Sequence, residues 1–313
     1  AILTNPYDVG GMADALERAL TMPESQRRSR MELLHTRVRS RSVHDWADGS
    51  LAALDEHAAR SHAIELRTSA QVGSSVISEL ATARDLLLLV DYDGTLVPLT
   101  SRPEQAEPDT ELRQLLRGLA GLPRTSLHVV SGRTRGTLRA WLGDLPIVLQ
   151  AEHGLWWRDA EGIWRCRLPL REDWKARVRP TLDEYVSRTP GAILEEKTAG
   201  FAWHYRGADP ELGLMQAREL RLHLVQSLAQ MPVEIIPGDK VLEVRQQGAT
   251  KTLATRAAIE QAPAGTAIAA FGHDRTDEDL FAALPPQALS FHVGERSTRA
   301  TYRMAGHREL RAF

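Results

Sequence analysis

Residues 86–90 (Leu-Leu-Leu-Leu-Val) run without a break into Asp91-Tyr92-Asp93-Gly94-Thr95-Leu96. An apolar run this short, stopped abruptly by a carboxylate, reads as a strand buried on both faces of a parallel sheet. Residues 127–130, 147–149 and 267–271 repeat the pattern, each followed by Ser, Gly or Asp within a few residues. Helical periodicity over 109–120, 134–142, 249–262 and 276–283 alternates with these strands, which predicts βαβ units and an open parallel sheet. Ligands of such sheets sit beyond the carboxyl ends of the strands, where the polar residues cluster here.

Between residues 155 and 245 the texture changes. Trp156-Trp157 and Ile163-Trp164 flank Asp-Ala-Glu-Gly, a hairpin signal. Helical patterns over 172–187 and 210–229 interleave with alternating segments at 193–206 and 233–245, which predicts an inserted α+β domain. Ahead of the sheet, Met12, Ala15, Leu16 and Leu20 recur at helical spacing, and Met31, Leu33, Leu34, Val38, Trp46, Leu51 and Leu54 extend a mostly helical segment. Residues 68–77 are small and polar and read as a linker. The expected division is 1–65, a linker and lead-in at 66–84, a core built from 85–155 and 246–313, and an inserted cap at 156–245.

Composition narrows the function classes. The 39 basic and 41 acidic residues give a formal charge of −2, without the broad basic excess of a nucleic-acid binder. One cysteine, Cys166, rules out an intramolecular disulfide framework and fits a reducing cytoplasm, the expected location. No apolar run approaches the ~18 residues that cross a bilayer, so neither membrane nor nucleic acid is an expected partner.

Asp91 and Asp93 carry the chemistry. Two carboxylates two residues apart at a strand end face one crevice, and Gly94 lets the backbone turn sharply beside a ligand. One suits nucleophilic attack on phosphorus and the other proton transfer, with a divalent cation balancing the phosphate charge.

The hexapeptide resembles the first motif of the haloacid dehalogenase-like phosphatases. Ser131 after 127–130, Lys251 after Gly248, and Gly272-His273-Asp274-Arg275-Thr276-Asp277-Glu278-Asp279 after 267–271 are similar to the next three motifs, in order. Ser131-Gly132-Arg133, Ala151-Glu152-His153-Gly154, Glu195-Glu196-Lys197, His204-Tyr205-Arg206, Lys240…Glu243-Val244-Arg245…Lys251 and Thr276-Asp277-Glu278 resemble the trehalose-6-phosphate phosphatases from residue 85 onward. The resemblance implies a Rossmannoid haloacid dehalogenase-like core with a cap that reads the disaccharide, and hydrolysis of trehalose 6-phosphate through an aspartyl-phosphate. It assigns Asp91 as nucleophile, Asp93 as acid and base, and Ser131 and Lys251 as phosphoryl holders. The metal falls to Asp91, Asp93, Asp274 and Asp277, with Mg2+ the expected cofactor and Mn2+ the alternative. Substrate contacts fall to Thr95, Gly132, Arg133, Glu152 and His153 in the core, and to Glu195, Lys197, His204, Arg206, Lys240 and Glu243 in the cap.

Asn5-Pro6-Tyr7-Asp8-Val9, Ala13-Asp14-Ala15-Leu16 and Ala19-Leu20-Thr21-Met22-Pro23 look like the last segment of a trehalose-6-phosphate synthase. This resemblance implies a synthase–phosphatase fusion, with a synthase domain or subunit as protein partner and no synthase activity in this chain. The chain ends within a helical pattern at 307–310. One departure stands out: His273 occupies the place where the fourth motif carries a metal-ligand aspartate. Three outcomes are open. Asp274 or Asp277 substitutes; a nitrogen-tolerant metal such as manganese binds; or metal binding weakens and the domain becomes a slow phosphatase or a regulatory binder of the sugar phosphate.

Overall fold

Strand β2 (Leu86–Asp91) is central because it alternates between two hydrophobic layers. Leu88 and Val90 pack with Leu116, Leu127, Val129, Phe271 and Phe291 on one face, and Leu87 and Leu89 pack with Ala258, Ile268, Leu280 and Phe281 on the other. Burying each such side chain stabilises the fold by about 1.5–3 kcal/mol. The computed structural model describes residues 9–39, 67–68, 74–100, 103–228 and 231–313. The chain divides into two compact units, Ala1–Glu65 and Leu66–Phe313.

In the first unit, α1 (Val9–Leu20) and α2 (Glu24–Arg39) are separated by a three-residue break. The expected helical positions Trp46, Leu51 and Leu54 lie outside the described residues.

The second unit holds a nine-stranded sheet. β1 (Arg67–Thr68), β13 (Tyr302–Met304), β12 (Leu289–Val293), β11 (Ala267–Gly272), β2, β3 (Thr125–Val130) and β4 (Val148–Ala151) lie side by side in that order, all parallel. α3 (Ser74–Thr82) leads in, and the crossover helices are α4 (Thr110–Ala120) and α5 (Arg135–Leu142), then α8 (Lys251–Gln261) and α9 (Arg275–Ala282). Asp109 and Thr134 cap α4 and α5 by accepting the N–H of Leu112 and Thr137. From β2 the chain winds one way through β3 and β4, and from β11 the other way through β12 and β13. The β2/β11 junction is therefore the topological switch point, where a crevice opens beyond the strand ends.

The inserted domain is a four-stranded antiparallel sheet in the order β7 (Ile193–Lys197), β8 (Gly200–His204), β10 (Val241–Gln246) and β9 (Val233–Gly238). α6 (Lys175–Arg188) and α7 (Pro210–Ser227) cover one face, where Val178, Leu182, Leu220 and Leu224 pack with Phe201, Trp203, Leu242 and Val244. The register aligns Glu195, Ala202 and Glu243 in one row. A period-two strand pattern thus puts apolar residues towards the helices and charged ones towards the core domain.

Three expectations need correction. The hairpin β5 (Trp156–Arg158) and β6 (Trp164–Cys166), expected to open the cap at 156, instead continues the core sheet antiparallel from β4, with Leu149 opposite Arg158 and Ala151 opposite Trp156. The lead-in expected to be a linker contains the paired Thr68 and helix α3, because Val76 and Leu80 have an apolar face to pack on. Strands β12 and β13 extend the sheet where no strand was read.

Candidate active site

The carboxyl end of β2 delivers Asp91 to the switch point, buried to 4% exposure. Its Oδ1 accepts from Lys251 Nζ at 2.5 Å; its Oδ2 accepts from Thr95 Oγ1 at 2.7 Å and lies 3.0 Å from His273 Nδ1. Burial pushes the Asp91 carboxyl up, but the Lys251 ammonium and the His273 ring outweigh it and hold it well below the usual carboxylate range. Lys251, at the start of α8, bonds Asp277 Oδ1 at 2.6 Å as well. Burial works against the ammonium, and the two carboxylates more than offset it, so the lysine titrates above its ordinary range. Asp277 Oδ2 accepts the N–H groups of His273 and Asp274 at 2.8 and 2.9 Å, which shapes the turn from β11 into α9.

Asp93 is gripped by a two-pronged Arg133 fork, Nε to Oδ2 at 2.9 Å and Nη2 to Oδ1 at 2.5 Å. Arg133 also donates to the Pro103 carbonyl and lies over the Trp141 ring. Ser131, at the end of β3, is buried and accepts the Arg133 N–H at 3.1 Å. After β4 the chain turns through Glu152, His153 and Gly154, all with positive φ (49°, 58° and 93°). Two non-glycine residues in this region store strain of the kind that collects at functional sites. The turn aims Glu152 at Thr198 Oγ1 and the Ala199 N–H, and His153 Nε2 at Glu243 Oε2, 2.8 Å away. Lys197 Nζ holds the other Glu243 oxygen at 2.5 Å. Burial raises Glu243, yet Lys197 and His153 hold it well below its ordinary range. His204 lies 3.0 Å from Glu195, and Arg206 bonds the carboxylate and carbonyl of Asp239. These groups line an open cavity of about 140 Å³ between core and cap.

Sequence comparison covers the same stretch of the chain. A Trehalose-phosphatase family model matches residues 89–307, and a Glycosyltransferase family 20 model matches residues 1–56. The chain belongs to the trehalose-phosphatase family. A bifunctional trehalose-6-phosphate synthase/phosphatase of Thermoproteus tenax is 37% identical, covering 100% of this chain and 43% of that protein. The trehalose-phosphatase of Schizosaccharomyces pombe is 32% identical over 90% of this chain and 35% of its own. Among solved structures, the C-terminal domain of C. albicans trehalose-6-phosphate phosphatase matches with a TM-score of 0.72 at 26% identity, covering 80% of this chain and 96% of that one. The chain thus spans less than half the length of these curated relatives, and its second unit has the haloacid dehalogenase-like fold.

Of the residues singled out from sequence, Asp91, Asp93, Gly132, Arg133, His153, Glu195, Lys197, His204, Arg206, Glu243, Lys251, His273 and Asp274 line the cavity. Thr95, Ser131, Glu152 and Asp277 stand behind it as hydrogen-bond partners. Lys240 sits at the tip of the β9–β10 hairpin with φ 56°. Asp91, His273 and Asp277 each offer a ligand atom within 4.8 Å of the others. Two carboxylates and an imidazole fit a divalent cation, with nitrogen where a hard-oxygen site has a third carboxylate. Sequence reading missed Asp239 and Arg296: Arg296 lies 2.9 Å from Asp274 and 3.4 Å from Asp239. Neither lies in a motif; only the turn-forming Gly238-Asp239 pair hinted at a hairpin tip.

Proposed function

We propose that this chain hydrolyses trehalose 6-phosphate to trehalose and phosphate. The convergence of Lys251, Thr95 and His273 on one buried carboxylate carries the reading, because it keeps Asp91 ionised and fixed for attack. An Asp91 oxygen bonds to phosphorus as the phosphorus–sugar oxygen bond breaks, and Asp93 gives that oxygen its proton. Asp93 then takes a proton from water, which attacks the aspartyl-phosphate and frees phosphate and Asp91. Arg133 releases its fork from Asp93 for these transfers, while Ser131 and Lys251 hold phosphoryl oxygens. Asp91, the Asp93 main chain and the fourth-motif loop would hold a divalent cation, Mg2+ with Mn2+ as alternative, which supplies countercharge to the phosphoryl group. Cap residues Glu195, Lys197, His204, Arg206, Lys240 and Glu243, with Glu152 and His153, offer the charged hydrogen-bond partners that sugar hydroxyls need.

A synthase domain is the proposed partner, supported by the match of residues 1–56, and a reducing cytoplasm the proposed location, supported by the single free Cys166. Among the described residues no helix is long and apolar enough to cross a membrane. The test is phosphate release from trehalose 6-phosphate against a panel of sugar phosphates, with Asp91→Asn alongside. Trehalose 6-phosphate should be the preferred substrate, and Asp91→Asn should lower turnover at least about 10⁴-fold with the fold intact. Substantial activity in Asp91→Asn would remove the covalent mechanism, and a clearly better sugar phosphate would replace the substrate.

A further inference from the structure

The inserted domain leaves the core at Gln246, whose side chain donates to the Pro169 carbonyl and accepts the Arg171 N–H, both at 2.9 Å. From there β10 runs back to Val241, five residues or about 17 Å away. The β9–β10 tip therefore lies across the cavity from the hinge. At this far lip the backbone comes down onto the fourth-motif loop: a Cβ on Gly238 would lie 3.4 Å from Asp274 Oδ2. Asp239 in the tip faces Arg296, which follows β12. One guanidinium nitrogen of Arg296 lies 2.9 Å from Asp274 Oδ1 and the other 3.4 Å from Asp239 Oδ1. The Arg296 carbonyl accepts from Arg303 Nη2 of β13 at 2.7 Å, and Arg303 also donates to the Gly294 carbonyl, so the loop presenting Arg296 is anchored to the core.

We propose that Arg296 is a positioning residue, a clasp that fastens the cap tip at Asp239 to Asp274 of the fourth-motif loop and so ties cap closure to the placement of that loop. The cavity beside the tip, about 140 Å³, is smaller than the ~300 Å³ at the low end of small-molecule sites, so a phosphorylated disaccharide needs more room than the tip leaves in this position. A clasp serving that cycle has to be weak. Arg296 is half-exposed, with a side-chain exposure of 54%, which puts the pair among the weak, solvent-screened ion pairs. Its fork geometry still registers two carboxylates at once, which a lysine ammonium does less well. The clasp rests on the proposed reading only for the identity of the substrate.

The test uses Asp239→Asn, Arg296→Gln and the double variant, with trehalose 6-phosphate and 4-nitrophenyl phosphate as substrates. The nitrophenolate leaves without a proton, so its hydrolysis depends little on a closed, acid-assisted site. Each single variant should lower kcat/KM for the sugar phosphate about 5–20-fold, and the double variant should fall within about twofold of the worse single. Nitrophenyl phosphate turnover should fall less than sugar-phosphate turnover in each single variant. Equal losses on both substrates, or additive losses in the double variant, would overturn the clasp. A readout independent of turnover is the distance between spin labels at two exposed helical positions, Gln114→Cys in the core and Leu222→Cys in the cap, on a Cys166→Ser background. Asp239→Asn should shift the distances to longer values, and an unchanged distribution refutes the clasp. If wild type cleaves nitrophenyl phosphate but ignores trehalose 6-phosphate, the substrate reading fails while the label distances still decide the clasp.

Discussion

The His273 ring lies flat over Gly94, where a Cβ would come within 2.4 Å of it and where φ is +73°, so only glycine accommodates the pair. Burial disfavours the charged ring, but Asp91 and Asp277 outweigh this and raise its pKa. His273→Asp exchanges the imidazole for a third carboxylate beside Asp91 and Asp277. Without metal the variant should melt lower than wild type, because like charges crowd one buried site. With Mg2+ it should recover and bind the ion about tenfold more tightly, since the donor set becomes all oxygen. Thermal melts and calorimetric titrations with and without Mg2+ read both effects; a variant indifferent to Mg2+ would show that the ion does not sit at residue 273. Turnover confined to the variant would make the natural chain a binder. The departure at 273 was legible in the sequence because its neighbours keep the motif. The Arg133–Asp93 fork was not, since nothing in Ser-Gly-Arg says which of two carboxylates a guanidinium will choose.

At the level of elements, strands with both faces buried announced themselves: residues 86–90 and 267–271 are continuous apolar runs and occupy β2 and β11. Strand β12 carries Ser290 and His292 inside a five-residue run, and β13 has three residues, too few for a periodic signal. The β5–β6 hairpin was legible, but not its allegiance, because turn chemistry fixes a hairpin and not the sheet it joins. Helix α9 shows how an element and the site share one residue. Asp277 is fully buried, accepts two N–H groups at the helix start and balances the buried ammonium of Lys251. Asp277→Ala removes all three bonds and leaves Lys251 with Asp91 alone. The expected cost is about 3–5 kcal/mol, a fall of roughly 10 °C in Tm. Asp277→Asn retains an oxygen for the two N–H groups, so the difference between the variants in denaturant melts separates the helix-start bonds from the charge pairing. Equal and small losses in both would mean that Asp91 alone balances the lysine.

Across the molecule, two buried histidines link stability to pH. His128, in the middle of the sheet, lies 3.0 Å from Ser126 Oγ and from Gln150 Nε2; burial drives its pKa down to about 4. Burial does the same to His153, to about 4, with Glu243 only partly opposing it. His153 Nδ1 has no hydrogen-bond partner among the described residues. In the unfolded chain both rings titrate near 6.5, so the folded state resists protons that the unfolded state accepts. The stability they protect is whole above pH ~6.5 and is lost as pH falls towards ~4. Between pH 7 and 5 the pair should cost about 4 kcal/mol. Glu243, held low by Lys197 and His153, loses its contribution in a separate window below its ordinary value of 4.5. Denaturant unfolding at pH 7, 6 and 5 should show the fall in wild type and about half of it in His128→Leu, whose absolute stability is lower because Ser126 and Gln150 lose a partner. Parallel pH curves for the two proteins would mean that His128 titrates alike in the folded and unfolded chains, and would leave the acid sensitivity to His153.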